Sequence, residues 1–267
     1  MIKRRWLIVC CAAALASSAQ TAWAGVEAEV GLVAGYFDYQ ERSSSGGRLN
    51  TEQGMLPGVS LELSQPFGEH GWIALSGDWY SGEVQYDGQT QAGRSLHTQT
   101  DTRLLVTDLT IAGPGLEAYG MTISPLARAG YRQWQRDILP TSFSTGLEER
   151  YRWYELGVGV SACKGLVNSS AGRWCGELWA LHGADGRVEV NLREIDAGQP
   201  ELRLGSRPGG RMRLSGQLGS VTVRLFAHFW KFGSSGEQAV DRPGGRLLVE
   251  EPASRSWLAG LGLGVRF

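Results

Sequence analysis

The last twelve residues constrain the fold more than any other stretch. Trp257, Ala259, Leu261, Leu263, Val265 and Phe267 fall on alternate positions, with Ser256, Gly260, Gly262, Gly264 and Arg266 between them and Leu258 as the one apolar exception. Strand side chains point alternately to opposite faces. The segment therefore reads as a ribbon with one apolar side and one small or polar side, ending on an aromatic residue.

The same alternation recurs upstream in nine further segments: 26–39, 57–65, 72–84, 102–112, 124–137, 151–163, one starting near Cys175, 210–216 and 221–232. In 26–39, Val30, Leu32, Ala34 and Tyr36 oppose Glu27, Glu29, Gly31 and Gly35. In 151–163, Tyr154, Leu156, Val158 and Val160 oppose Trp153, Glu155, Gly157, Gly159 and Ser161. Tight turns are expected at 66–71, 113–115 and 217–219, where Gly and Pro concentrate. The alternate connections, 42–55, 86–101, 139–149, 188–208 and 233–253, are long and polar. The facing of the seventh segment and the stretch 184–204 do not parse, so ten strands is the primary reading, with eight and twelve open. Taken with the aromatic last residue, the pattern resembles a bacterial outer-membrane β-barrel. That resemblance implies an all-β fold: an antiparallel transmembrane barrel with an apolar band outside, a polar lumen, short periplasmic turns and longer outer loops. It also implies that Phe267 is a C-terminal assembly signal read by the barrel assembly machinery. Tyr36, Trp72, Trp79, Trp134, Trp230 and Trp257 are candidates for interfacial girdles or for packing within the barrel.

Lys3, Arg4 and Arg5, a short apolar run over 6–15 and the Ala22-Trp23-Ala24 pattern read as a secretory signal peptide over 1–24, leaving 25–267 as one barrel domain. The apolar run is about ten residues, against the roughly twenty that a spanning helix needs. Export to an oxidising compartment predicts a disulfide between Cys163 and Cys175, the two cysteines outside the signal. A net charge of -1 gives no basic surplus for nucleic acid. No metal-ligand cluster, phosphate loop or nucleophile elbow is present, so no cofactor or metal is expected.

The inward set is heavily charged. Glu27, Glu29, Glu62, Asp78, Asp108 and Glu155 stand against Arg128, Arg132, Arg211, Arg213, Arg224 and Arg266. Unpaired buried charge is costly, so these predict a neutralised network filling a narrow lumen and argue against a general diffusion pore.

Asp78-Trp79 follows the apolar part of a third strand, 102–112 forms a fourth, Ala129-Gly130-Tyr131 opens a fifth, 151–160 forms a sixth, and a long loop follows a seventh. This layout resembles the omptins, ten-stranded outer-membrane proteases that cleave near basic residues. The resemblance implies an aspartate pair and an aspartate–histidine pair that activate water across an outer groove. Here Asp78 matches one member of the first pair, with Ser76 two residues earlier. His182 with Asp185 is the candidate second pair, in a different order and spacing from the family's Asp-x-His. His182 at the outer rim would act as general base; the alternative is a strand-end residue followed by a plain Asp185-Gly186 turn. His228 has no serine at a telling spacing for acyl transfer.

Three functions follow. The first is a structural or surface-binding barrel acting through polar outer stretches such as 43–48 and 87–91. The second is an omptin-like endopeptidase, and the third a narrow selective channel. The expected partners are outer-membrane lipids, lipopolysaccharide among them, with the surface ligand unspecified.

Overall fold

The computed structural model describes residues 25–67, 71–90, 93–165 and 172–267. The expected signal segment, the tip of the 66–71 turn and the link between the cysteines lie outside them. Ten long strands form the wall: Glu27–Arg42 (β1), Arg48–Phe67 (β2), Gly71–Gln89 (β3), Ser95–Ala112 (β4), Met121–Ile138 (β5), Leu147–Gly165 (β6), Gly172–Asn191 (β7), Pro208–Leu218 (β8), Val221–Phe232 (β9) and Ala253–Arg266 (β10). Each pairs antiparallel with the next, and β10 pairs with β1, so the sheet closes into a barrel without edges.

The seam shows why the closing strand is rich in glycine. A Cβ on Gly260 would run into the carbonyl oxygen of Ala34. The register puts Gly35 opposite Gly260, and Phe267 exchanges backbone hydrogen bonds with Ala28 at 2.8 and 3.3 Å.

The outer surface carries an apolar belt. Leu32, Val59, Leu61, Leu75, Leu109, Leu156, Val158, Leu178, Leu214, Leu225, Leu261 and Leu263 are all exposed on it. Tyr36, Trp79, Tyr154 and Trp257 stand exposed toward its upper margin, and Phe67, Trp174 and Phe267 toward its lower one. Trp134 and Trp230 do not join these girdles: both are buried in the lumen.

The wall continues above the belt. There its outward side chains turn polar: Asp38 and Gln40, Gln53, Glu83 and Gln85, Asp101 and Arg103, Gln133 and Gln135, Arg150 and Arg152. This corrects two expected outer loops. The stretches 42–55 and 86–101 are mostly strand, with a tight turn at 43–47, β3 running to Gln89 and β4 starting at Ser95. Polar residues on both faces erase the alternation there although the strands persist. Asp185 explains the segment that did not parse. It has φ 46°, and beside it the β6–β7 register skips from Arg152–Arg187 to Tyr154–Ala184. This bulge inverts the facing, so Glu177, Trp179 and Leu181 face inward below it and Val188 and Val190 above it.

The link between β7 and β8 holds a short helical turn at Arg193–Ile195 and a strand, Glu201–Arg203, paired on β7. A hairpin, Gln238–Arg242 with Gly245–Val249, occupies the link between β9 and β10. A further short strand, Leu116–Ala118, folds back on the start of β5 at the periplasmic end.

Candidate functional site at the outer mouth

The lumen is filled in layers. At the periplasmic end a cavity of about 490 Å³ is lined by hydroxyl and charged side chains, including Ser64, Ser161, Ser215, Arg213 and Arg266, with Cys163 and Cys175 in its wall. Above it lies the charge network. Arg266 pairs with Glu27 at 2.9 Å and Glu29 at 3.4 Å, and Arg224 pairs with Glu29 at 2.6 Å. Arg213 bridges Glu62 at 3.0 Å and Glu177. Deeper still, Arg128 binds Asp108 and Glu155, Arg132 binds Glu155 at 2.7 Å, and Arg211 lies 3.4 Å from Asp108. Eleven of the twelve charges expected to face inward enter these ion pairs, with Glu27 half-exposed at the end of the barrel, and the twelfth, Asp78, lies 4.0 Å from Arg224. Glu177 is a partner that sequence reading missed, because the facing of β7 was ambiguous.

An aromatic layer covers the network. Trp153 meets Trp230 and Phe232 edge-on at 5.8 and 5.2 Å, and Tyr80 lies against Phe226 at 6.3 Å. The cavity remaining there is about 30 Å³, walled by Phe37, Trp134, Trp153, His228 and Leu258 among others. His228 packs beside Phe226 at 5.5 Å.

The outermost layer is a buried acid cluster that sequence reading did not find. Its one guanidinium, Arg136, is ion-paired with Glu41 at 2.8 Å, Glu149 at 3.0 Å and Glu52. Tyr151 stacks on Trp134 at 4.6 Å, and Tyr39 meets Trp134 edge-on at 4.8 Å. Glu251, at the end of the hairpin link, completes the set from above. The cluster lies above the apolar belt, so burial acts on it without lipid. Burial, against the pull of Arg136, pushes the Glu52 carboxyl up to about 7. Burial likewise raises Glu149, and it raises Glu251 well above the usual carboxylate range, reinforced by Glu149 and Glu41. The signal was present as parity. Inward positions 29, 33 and 37 on β1 extend to 41, and 128 and 132 on β5 extend to 136.

The proposed catalytic set is not brought together. Asp78 is buried in the lumen, 4.0 Å from Arg224. His182 lies on the outer face of β7, beside Leu156 and Pro208 in register, and is exposed. Asp185 is exposed at the bulge and accepts hydrogen bonds from Arg187 at 3.0 and 3.1 Å. The barrel wall separates Asp78 from His182, because odd and even positions of β7 point to opposite sides of it. Among the described residues, the histidine–carboxylate ion pair is His97 with Asp87, 3.3 Å apart and exposed near the tip of the β3–β4 hairpin.

No family model and no curated protein matches this sequence. Among solved structures, the outer-membrane protease OmpT from Escherichia coli is similar with a TM-score of 0.57 at 9% identity, over 91% of this chain and 97% of that one. The transport unit of the autotransporter AIDA-I from Escherichia coli gives 0.47 at 8% identity, over 93% and 92%. The toluene transporter TodX from P. putida gives 0.34 at 10%, over 92% and 90%. The likeness to OmpT is one of fold: this chain has the architecture of an outer-membrane β-barrel resembling the omptins.

Proposed function

We propose that this chain resides in the bacterial outer membrane as a closed barrel and works through its exposed outer rim and loops, in a structural or surface-binding role. The observation that carries the reading is the layered lumen beneath a wall that rises above its apolar belt. A charge network and an aromatic layer, the latter around a cavity of about 30 Å³, fill the lumen where a pore would need a continuous bore, while the polar upper wall offers rigid loop attachments outside the bilayer. Outer-membrane lipids are the partners of the belt, with lipopolysaccharide headgroups against the rim. The barrel assembly machinery is the partner of the closing strand and Phe267.

The competing readings are a peptidase and a channel, and one set of assays separates them. The refolded barrel is offered a fluorogenic peptide with paired basic residues in the presence of lipopolysaccharide, beside Asp78→Ala and His182→Ala variants, and is reconstituted in planar bilayers. The expected result is no turnover and no discrete conductance from a barrel shown to be folded. Turnover lost in both variants would replace this reading with an endopeptidase. Reproducible unit conductance would replace it with a channel.

A further inference from the structure

We infer that the hairpin link between β9 and β10 is a pH-operated lid over the outer mouth, held shut by carboxyl protons that Glu251 and the wall residues Glu149 and Glu41 share with the hydroxyls of Tyr151 and Tyr39. The link lies over the interior: Val240, Leu247 and Val249 pack against the buried cluster of the lumen. Its base is bracketed twice, Ser235 N–H donating to the Glu251 carbonyl at 2.9 Å and Glu251 N–H donating to the Ser235 hydroxyl at 2.8 Å. This bracket fixes Glu251, whose carboxyl group reaches into the barrel.

Counting hydrogens shows what holds it there. One Glu251 oxygen lies 2.7 Å from the Tyr151 hydroxyl and 3.3 Å from the Tyr39 hydroxyl. The same two hydroxyls lie 3.0 Å from Glu149 and 3.0 Å from Glu41. Those are four oxygen–oxygen contacts, and each phenol brings one hydrogen. Arg136 donates to the Tyr151 oxygen at 3.3 Å, which adds none between the oxygens. Carboxyl protons would supply the others.

Charge counting agrees. Among the described residues, Glu41 from β1, Glu52 from β2, Glu149 from β6 and Glu251 from the lid share Arg136 from β5 as their one cation. The other groups facing this space, Tyr39, Tyr86, Tyr151 and Ser254, bring no charge. The nearby cations on the lid and adjoining strands, Arg42, Lys231, Arg242, Arg246 and Arg255, are exposed to water.

Deprotonation would leave Glu251 facing Glu149 and Glu41 as anions, with a single phenol hydrogen to serve each pair of contacts, and repulsion would lift the loop. Glu149 and Glu251 hold their protons above the usual carboxylate range. The lid is therefore shut in acid and loosens as pH rises, uncovering the rings of Tyr39, Trp134 and Tyr151.

Hydrogen exchange of the backbone amides over 238–249 tests this in the refolded full barrel. Rates are corrected for intrinsic base catalysis and compared at about pH 5.5 and about pH 8.5. The expected result is loss of protection confined to 233–252, by roughly tenfold per pH unit for each proton released on opening. Glu251→Gln, which keeps a neutral side chain, should retain the acid-like protection at the higher pH. Equal corrected protection of the wild type at both values overturns the proposal without reference to any variant. So does an undiminished pH response in Glu251→Gln, a loss spread over all strands, or protection restored by calcium at constant pH.

Discussion

Cys163 and Cys175 stand directly opposite each other in the β6–β7 register and are joined by a disulfide, with Cα atoms 4.1 Å apart. The bridge is therefore a cross-strand rung within the wall at the periplasmic end. Both cysteines line the cavity at that end of the lumen.

The hairpin closed by that bridge is short, 12 residues in sequence separation. On the chain-entropy account, closing a loop of this size is worth about 3 kcal/mol, chiefly by restricting the unfolded chain. Replacing both cysteines by serine should lower the urea midpoint of the refolded barrel by that order of stability. Circular dichroism of the folded state should not change, because neighbouring ladder bonds hold the strands. A collapse of the strand signal itself would show that the bridge directs folding.

Arg213 is the most exacting member of the charge network. It stands between Glu62 and Glu177 with little exposure for any of the three. Arg213→Ala strands two carboxylates in the lumen, and such truncations typically cost about 3–5 kcal/mol. Adding Glu177→Gln removes one of the stranded charges and should recover part of the loss. A double-mutant cycle on guanidinium unfolding measures the coupling; strict additivity would mean that the pair is solvated and the lumen wet at this level.

Much of this architecture is legible along the chain, and the failures share a cause. Alternation works where one face meets an apolar medium and the other a polar one, as on Trp257 to Phe267. It fails above the belt, where Gln53, Glu83 and Arg103 outside oppose Glu52, Val84 and Thr102 inside, and the strands read as loops. It fails again on β7. There the lumen takes Trp179 and Leu181 while the outer face carries Leu178 and Ala180, and the bulge at Asp185 inverts the parity. For this reason the alternation does not show that His182 faces outward. The acid cluster was missed for the first reason, since Glu52 and Glu149 fell within stretches read as outer loops and Glu251 lies in the loop itself.

The boundary between belt and protruding wall can be measured. Leu261, exposed in the middle of the outward row of β10, pairs with Ala34 and Leu225, whereas Gln99 is exposed near the top of β4. An arginine at the bilayer midplane of a barrel costs about 2–4 kcal/mol, falling to about 0–1 near the interface. Leu261→Arg should lower the free energy of folding into lipid vesicles by the larger amount and Gln99→Arg by the smaller or none. Equal costs would place both positions at one depth and contradict a wall that rises out of the membrane.

The acid cluster also ties the stability of the whole barrel to pH. Glu52 is buried at the bottom of the cluster, and its carboxyl is pushed up to about 7 by burial. In the unfolded chain the same group titrates near the ordinary glutamate value, so the folded state binds its proton more tightly. The stabilisation is fully present below the ordinary value and is lost as pH rises through about 7; across that window it is on the order of 2–3 kcal/mol. Urea midpoints should accordingly be higher at about pH 5 than at about pH 8. Glu52→Gln, neutral at both, should reduce the difference, leaving the part that Glu149 and Glu251 contribute, and raise stability at the higher value, provided Arg136 keeps Glu41 and Glu149 as partners. A wild-type midpoint that rises with pH would mean that Arg136 holds Glu52 ionised in the folded barrel, reversing the sign of the linkage.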